Sequence, residues 1–475
     1  MADAQTYKVN NAEFEGKFTL KQAAEDSDSP EQKGVEISFS KSAIRGMDIE
    51  ENFLEPFTNG NIYINNPLDF IEDGSLIRGD GRDVFEVEFY PKGDDFMALK
   101  YEFVISSELN STSKTDRLNN YKTYSLLDRS YFKLSEKIPY GRRFRGKVGV
   151  IIRSILEEKD IAVAACDGIG DWEFGDMEID LLPEHILPPS TFRYSDLVKY
   201  LLKINYKKVG DTYVRLFLNW CRLCKEYKYR ALSDIFAKPV PIEQFMANDL
   251  VAELQENVNN PATGPGKTKT NVNNAALQNS DFSSPMLVYT NAFLHNMLVS
   301  RYDAILGEHS IDLIRIKDVK EKWTKLFVDT FKYVGGKAQP WLVLNNVKQE
   351  EIFRNLGFPF EGEKMAFLAE AELTSNMTFF NLQLNINTLG DTQRQPGDFI
   401  DISTSRPQKE DSGKNPFDSG KAVDHRSDAK LLGSWFMTKV RHEFNYAKVD
   451  GYTNIMQCIK PHIGPGTPAP SDCVD

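Results

Sequence analysis

In the stretch FFNLQLNIN, residues 379–387, apolar and amide side chains alternate from Phe380 onward. Phe380, Leu382, Leu384 and Ile386 fall on one face, and the Asn and Gln residues between them fall on the other. Successive side chains of a β-strand point to opposite faces of the sheet, so this period of two predicts a strand with one buried face. The C-terminal part of the chain is therefore predicted to consist of strands.

Three more strand patterns follow FFNLQLNIN and complete a second β section. They are QPGDFIDIS (395–403), GSWFMTKVRHEFNY (433–446) and GYTNIMQCIKPHI (451–463). A hydrophilic loop, 404–429, separates the first two of these patterns. We place a small antiparallel β-barrel at 366–462, followed by a disordered tail at 463–475.

A first β section near the N-terminus shows the same alternation. Its patterns are VEISFS (35–40), GNIYINN (60–66), DVFEVEF (83–89), YEFVISS (101–107) and YKTYSLL (121–127). Turn clusters at Asn59-Gly60-Asn61 and Gly79-Asp80-Gly81 separate them, as in an antiparallel barrel or sandwich. We place a first barrel at 35–133, after a loosely held polar arm at 1–34 with one strand candidate at 14–20.

The two β sections share one order of strands and turns. In each section a Gly turn is followed by an Asp where the next strand begins, Gly81-Arg82-Asp83 in the first and Pro396-Gly397-Asp398 in the second. This agreement favours two barrels of related topology. The alternative is two unrelated β-domains that share common strand patterns.

Two insert domains are predicted between the barrels. The first, 134–236, is α+β and the second, 286–365, is mostly helical or mixed, while 237–285 holds the start of the second barrel and a polar linker. In the first insert, one helix is predicted from Val148, Ile151, Ile152 and Ile155, and a second, capped by Ser195 or Asp196, from Leu197, Tyr200, Leu201 and Ile204. A strand of the same insert is predicted from Val214, Leu216 and Leu218. In the second insert, a helix is predicted for DVKEKWTKLFVDTF (318–331) from Trp323, Phe327 and Phe331. The predicted fold class is thus mainly β, an α+β multidomain chain with two small antiparallel barrels and two mixed inserts.

Charge and composition exclude several classes of function. With 57 Lys+Arg against 69 Asp+Glu, the formal net charge is −12, which argues against a surface that binds nucleic-acid phosphates. The basic run 140–147 is the main exception, and we interpret it as a solvated turn, with a local anion site as the alternative. No run of 18 apolar residues or signal peptide is found, so we expect no membrane span and a protein that is made and kept in a cytosol-like compartment.

Cysteine, glycine and histidine patterns predict no cofactor, no metal and no catalytic residue. Five scattered Cys residues, with one lone Cys221-Arg222-Leu223-Cys224, favour thiols in the core over a zinc site. In NNPATGPGKTKTN (259–271), Pro261 stands where a phosphate-binding loop needs Gly, so we interpret this stretch as a linker. His185 and His309 lie outside zinc-peptidase motifs, and His442 alternates with Val440 and Phe444 as a core or interface histidine would.

The closing block resembles the last barrel of baseplate hub proteins of contractile-tailed bacteriophages and related injection machines. In those hub proteins a Pro-Gly-Asp turn precedes a strand, and Pro396-Gly397-Asp398 precedes a predicted strand here. A later strand of the hubs has the pattern Gly-x-Trp…Val-x-His-x-Phe, and its positions are occupied here by Gly433, Trp435, Val440, His442 and Phe444. ISFSKSAIRGMDIEENFLEPFTNGNIYINN, STFRYSDLVKYLLKI and TYVRLFLNW are similar to the opening strands and the insert of such a hub. The resemblance covers most of 35–462 and departs in the N-terminal arm, the 250–285 linker and the 404–429 loop.

The resemblance implies a structural protein of the virion baseplate and no enzyme. Such hubs are homotrimers whose two barrels per chain alternate around a pseudo-six-fold ring. The ring joins a three-fold central spike protein to a six-fold tail tube or tube-initiator protein, with wedge and tape-measure proteins as further partners. DNA only passes through the channel, and the negative charge of the chain suggests an acidic lumen.

Two other functions stay open from the sequence. One is a carbohydrate- or receptor-binding tail component that uses exposed aromatic residues such as Trp172 and Tyr206. The other is a tail-associated peptidoglycan hydrolase, since a catalytic carboxylate pair among 69 acidic residues would be recognised only by its separation in the fold.

Overall fold

The computed structural model describes both β sections and parts of the chain between them. The described residues are 5–9, 12–21, 36–39, 43–65, 83–91, 99–109, 121–158, 184–186, 188, 190–223, 226–237, 241–246, 279–283, 297–303, 308–315, 318–319, 322, 339–345, 361–379, 382–403, 433–445 and 451–460. Strands dominate these residues, so the structure is mostly β as predicted. Among the helices that it contains, none combines the length and the apolar character that a membrane crossing requires.

The strands and helices have the following bounds. The strands are β1 (Gln5–Val9), β2 (Ala12–Lys21), β3 (Glu36–Ser38), β4 (Ile44–Asn52), β5 (Glu55–Asn65), β6 (Val84–Pro91), β7 (Leu99–Leu109), β8 (Tyr121–Asp128), β9 (Phe144–Gly146), β10 (Glu184–Ile186), β11 (Lys207–Val209), β12 (Thr212–Val214), β13 (Leu216–Cys221), β14 (Glu226–Ala231), β15 (Pro241–Met246), β16 (Asn279–Ser283), β17 (Met297–Asp303), β18 (Glu308–Ile314), β19 (Gln339–Asn345), β20 (Leu382–Leu389), β21 (Phe399–Ser403), β22 (Gly433–Asn445) and β23 (Tyr452–Lys460). The helices are α1 (Arg129–Glu136), α2 (Val148–Leu156), α3 (Tyr194–Lys203), α4 (Leu232–Ala237) and α5 (Glu361–Phe379).

Fourteen strands form one sheet, whose main path is β1-β2-β6-β7-β8-β5-β4-β22-β23-β20-β16. The two β sections meet where β4 lies antiparallel to β22, with Gly46 opposite Asn445 and Asn52 opposite Lys439. β4 also pairs with β5, so β4 has a hydrogen-bonded neighbour on each edge and the two β sections form one continuous sheet. The prediction of two small closed barrels therefore needs correction, because the described strands form one continuous sheet whose path does not close.

The predicted repeat is visible in the strand pairing. The first section has the order β6-β7-β8-β5-β4, and the second has the order β21-β22-β23-β20-β16. Every pair within these two series is antiparallel. Asp83 precedes β6 and Asp398 precedes β21, at the positions that the sequence comparison had aligned. The agreement favours an internal repeat over two unrelated β-domains.

The sheet is held together by a core built from the predicted apolar faces. Phe85, Val87 and Phe89 of β6 are at most 1% exposed, and Leu384 and Ile386 of β20 are fully buried. They belong to one apolar cluster that includes side chains of both β sections. Alternation thus identified the inward face correctly in both sections.

Parts of two segments expected to be loose belong to this sheet. The strand predicted at 14–20 in the N-terminal arm is confirmed by β2, which is not loosely held, because it pairs with β6 and buries Phe18 and Leu20 in the core. The 250–285 linker contains β16, which pairs with β20. The rest of that linker, the 404–429 loop and the 463–475 tail lie outside the described residues.

The first insert has the predicted helices and strand. Ile151, Ile152 and Ile155 of α2 are buried, and β12 and β13 bury Val214, Leu216 and Leu218. The predicted cap residues, Ser195 and Asp196, lie inside α3, because the helix starts directly after Arg193. Asp196 still contributes to the cap, since its side chain accepts a hydrogen bond from the Arg193 backbone N–H at 3.1 Å. Tyr200 is 42% exposed, so it is not part of the apolar face expected for this helix.

The second insert, predicted to be mostly helical or mixed, is described only in part. Its described strands form a three-stranded sheet of order β18-β17-β19, and residues 318, 319 and 322 are helical. The helix α5 crosses the boundary predicted between the second insert and the second β section at 365/366. The first strand of that section after the insert is therefore β20. Most of the predicted helix at 318–331, including Trp323, Phe327 and Phe331, lies outside the described residues.

Candidate functional site

A buried charged cluster lies where the first insert meets the sheet. Arg222, directly after β13, forms an ion pair with Glu51 of β4, with 3.0 Å between Nε and Oε1. Tyr101 of β7 donates its hydroxyl to the same carboxylate oxygen. His442 of β22 approaches the other oxygen, Oε2, with Nε2 at 3.4 Å. Three side chains from separate parts of the fold therefore converge on one buried carboxylate, and we call these four residues the Arg222 cluster.

Arg222 also binds the segment that leads into β21. Its Nη2 donates to the backbone carbonyls of Thr392, at 2.6 Å, and Arg394, at 3.1 Å. One guanidinium thus connects the insert to the first β section through Glu51 and to the second through two carbonyl groups. Planar guanidinium groups suit such multiple, fixed hydrogen bonds better than an ammonium group would.

The surrounding hydrogen bonds fix the tautomer of His442. Asn454 Oδ1 accepts from Arg394 Nη1 at 2.9 Å, so the amide nitrogen of Asn454 faces His442 Nδ1 at 2.8 Å. Nδ1 is therefore the acceptor, and Tyr452 Oη lies 2.9 Å from it. The proton of the neutral imidazole then resides on Nε2, where it points to Glu51.

Burial and charge set the protonation states of the cluster. Burial alone would raise the pKa of Glu51, but Arg222, His442 and Tyr101 outweigh it and lower that pKa to about 2. Burial lowers the pKa of His442. At neutral pH the cluster thus holds one anion, Glu51, one cation, Arg222, and a neutral imidazole, and so forms a compensated ion pair.

This arrangement is suited to fastening elements together and not to catalysis. His442 is fully buried, as the alternating pattern predicted, and Glu51 is 6% exposed. A carboxylate with a pKa near 2 is a weak base, and no substrate reaches a sealed imidazole. The residues that sequence reasoning missed here are Glu51 and Arg222, which lie 171 positions apart in the chain.

Aromatic packing extends the same joint. Phe53, directly after β4, packs edge-to-face on Phe436 of β22 with ring centres 4.9 Å apart, and the ring of Phe217 of β13 lies 5.6 Å from that of Phe53. Phe379 at the end of α5 contacts Phe217 at 5.2 Å. Offset and edge-to-face pairs at these distances stabilise a joint beyond the burial of their area. The insert is therefore anchored by both charge and aromatic contacts.

The other candidate histidines are not gathered into one site. His185 lies on β10 opposite Arg145, and His309 lies on β18 opposite Tyr302, in sheets separate from the one that carries His442. In the part of the chain that the structure describes, no group of three or more His, Cys, Asp or Glu side chains is placed to hold a metal ion.

The basic run 140–147 is a turn with a packing role for one arginine. Arg142 Nη1 donates to Glu158 at 3.0 Å and to Tyr194 Oη at 3.1 Å, and its guanidinium lies 5.0 Å from the centre of the Phe144 ring. Arg143 is exposed. Arg142 thus contacts protein groups, in agreement with the solvated-turn interpretation.

Two sequence interpretations of single residues need correction. Tyr206, proposed as an exposed aromatic residue, is 6% exposed and packs against Tyr213 and Phe367. Cys221 takes part in a disulfide and is not a free core thiol, and its partner lies outside the described residues. Cys458 is a free, buried thiol as expected. Trp172 and the 259–271 stretch lie outside the described residues.

Comparison with known proteins finds neighbours among solved structures. No family model and no curated protein matches the chain. A tail protein from Neisseria meningitidis matches at 10% identity over 94% of this chain and 96% of its own, with a TM-score of 0.43. A 43 kDa tail protein of prophage MuSo2 from Shewanella oneidensis matches at 8% identity over 94% and 98%, with a TM-score of 0.46. An Escherichia coli component of the type VI secretion system matches at 9% identity over 89% and 76%, with a TM-score of 0.38.

Proposed function

We propose that this chain is a structural component of a phage-type tail, a baseplate hub that assembles as a homotrimeric ring. The observation that carries the proposal is the repeated strand order of the two β sections, joined edge to edge by β4 and β22. A chain that contains two similar units can match a three-fold partner on one side of a ring and a six-fold partner on the other.

The in-chain joint suggests how copies would join. β21 pairs with residues 433–436 of β22, and β4 pairs with 439–445 on the same edge. In the first unit, β6 pairs with 99–103 of β7, while the same edge over 104–109 has no strand partner among the described residues. β16, the counterpart of β4, has only β20 as a partner there.

Pairing of β16 with β7 of the next copy would repeat the β4–β22 joint between chains. Such a head-to-tail contact uses two different surfaces of each copy, and contacts of this type generate rings when the rotation closes. Open strand edges are ready templates for this addition. Three copies would then give six similar units around one channel.

The ring would connect a trimeric central spike protein to a six-fold tail tube or tube-initiator protein, with wedge and tape-measure proteins nearby. The inserts would extend from the ring, fixed to it by the Arg222 cluster. The channel would pass tape-measure protein and DNA, and an acidic lumen would keep DNA from binding. This role places the protein in the virion tail baseplate, assembled in the host cytoplasm.

The rival functions have less support. The glycan-binding reading relied on exposed aromatic residues, and Tyr206 is buried. The hydrolase alternative requires two carboxylates at a catalytic separation, and the buried Glu51 carboxylate is paired with Arg222 instead.

Co-expression with the spike and tube proteins from the same tail operon tests the hub. We expect a complex with three copies of this chain per spike trimer. Failure to bind either protein, together with binding on a glycan array or release of soluble fragments from peptidoglycan, would replace the hub with a rival function.

A further inference from the structure

A cleft of about 480 Å³ lies between the sheet and the first insert, on the surface and apart from the Arg222 cluster. The start of β5, α1, the end of α3 and the residue between β12 and β13 form its walls. Its apolar lining comes from Leu54, Pro56, Phe57, Tyr131, Val198 and Leu202. Leu54 at the rim is 48% exposed, so apolar surface is open to solvent here.

The charged residues of the cleft are predominantly cationic. Lys199, Lys203 and Arg215 line it, with Glu55 as the one acidic lining residue. The chain as a whole carries a net charge of −12, so the charge of the cleft lining is opposite in sign to the net charge of the chain. A local excess of positive charge beside an apolar floor attracts carboxylates that stand next to apolar side chains.

Two of these cations are held in place. Lys199 Nζ donates to Tyr131 Oη at 2.8 Å and lies 4.9 Å from the centre of that ring. Arg215 is oriented by Glu372, at 2.6 Å, and by the Leu202 carbonyl, at 2.7 Å. Side chains that are already ordered lose less entropy when a partner binds, which favours specific recognition.

Some hydrogen-bonding capacity is left unused. Lys203 is exposed and has no ion-pair partner among the described residues. Arg215 Nε is buried and, within the same residues, has no acceptor. The exposed ammonium group of Lys203 therefore remains available to an incoming acceptor after the internal bonds of the cleft are made.

We propose that this cleft binds a short acidic segment of another protein. One aliphatic or aromatic side chain would insert between Leu54 and Leu202, and flanking carboxylates would pair with Lys199 and Lys203. A sugar ring fits less well, because the ammonium group of Lys199 lies over the ring of Tyr131. A nucleic acid would need a longer basic track than three cations provide. This inference goes beyond the hub and does not depend on ring assembly.

Selection from a random peptide library on the full chain tests the proposal. We expect enriched peptides to carry Asp or Glu on both sides of Leu, Ile or Phe, and their affinity to fall at high salt. The charge reversal Lys199→Glu with Lys203→Glu should weaken their binding about tenfold or more, because close charge pairs across an interface are lost. Leu54→Ser, an exposed position, should weaken it by removing the apolar rim.

Arg143→Glu with Lys208→Glu is the matched control, because both positions are exposed, neither residue lines the cleft, and the change in charge is the same. The control should bind the enriched peptides as the wild type does. No acidic enrichment, or equal binding of those peptides by the Lys199→Glu/Lys203→Glu variant, would overturn the proposal.

Discussion

The Glu51 carboxylate remains ionised in a buried position because Arg222 lies against it. Removing one partner of a buried ion pair leaves the other charge uncompensated, which typically costs about 3–5 kcal/mol. Arg222→Met should therefore lower the free energy of unfolding by that amount in urea titrations. Arg142→Met, which breaks a more exposed pair with Glu158, should cost about 1 kcal/mol or less. Equal costs for the two variants would contradict the buried-pair account.

Two groups of the same cluster should make stability fall as pH decreases, the first from about pH 6.5 and the second from about pH 4.5. His442 has a pKa below its ordinary value of 6.5 in the fold, so the unfolded chain binds the extra proton first and stability falls as pH decreases below about 6.5. The pKa of Glu51 is lowered from 4.5 to about 2, so its contribution of about 3 kcal/mol is present above pH 4.5 and lost towards pH 2.

Two variants separate these ranges in urea titrations at several pH values. His442→Asn should remove the fall in stability that begins below pH 6.5, and it should also weaken the fall below pH 4.5, because His442 helps to lower the pKa of Glu51. Glu51→Gln should remove the fall between pH 4.5 and 2 and keep the fall that begins at pH 6.5, because burial still lowers the pKa of His442. A wild-type slope that neither variant changes would show that other groups control acid unfolding.

At the scale of elements, alternation predicts a strand only where polar side chains face outward. β6, β20 and β23 met that condition and were found. β4 was not singled out, because Asp48 and Glu51 are both 6% exposed and interrupt its apolar pattern. The helix α5 was missed for a related reason: Leu368, Leu373 and Thr378 are all buried, so it lacks a single apolar stripe.

The predicted Pro-Gly-Asp turn before β21 depends on its glycine. Gly397 has φ +97°, and a Cβ there would lie 3.2 Å from Asn219 Nδ2. Gly397→Ala should lower the free energy of unfolding by about 1–3 kcal/mol, because the backbone conformation is unfavourable for alanine and the space is filled. Gly141→Ala, with φ +67° and nothing within 4 Å, is the control and should cost less in the same denaturation measurement. The reverse ranking would show that packing at the turn is unimportant.

At the scale of the whole molecule, the sequence contained the repeat but not the way in which its halves join. The strand order could be predicted from pattern and turn chemistry. The β4–β22 pairing and the Arg222 cluster could not, because they bring together residues as far apart as Glu51 and His442, 391 positions away. Long-range contacts of this kind leave no local signal in one sequence.

The repeat also gives a register for the proposed contact between chains. Asp48 lies opposite Asn61 and Asp281 opposite Asn385, which aligns β16 with β4. The bulges between Met437 and Lys439 and between Ile105 and Ser107 likewise align β22 with β7. In these alignments Ser283 corresponds to Glu50, and Leu109 corresponds to Arg441. Because Glu50 lies opposite Arg441 within the chain, Ser283 of one copy is expected to lie opposite Leu109 of the next copy.

A disulfide between these two positions tests that register. The variant Leu109→Cys with Ser283→Cys should form covalent trimers under oxidising conditions, seen in non-reducing gels, because the two positions would be neighbours across the joint. Each single variant is the control and should remain uncrosslinked. Absence of the crosslink in a protein that is trimeric by mass would reject this joint and leave the ring standing.

The mass of the purified protein in solution, measured by light scattering, tests the central claim most directly. The hub proposal predicts three times the chain mass of 54.1 kDa, alone or after co-expression with the spike protein. A stable species of one chain mass under both conditions would contradict the ring.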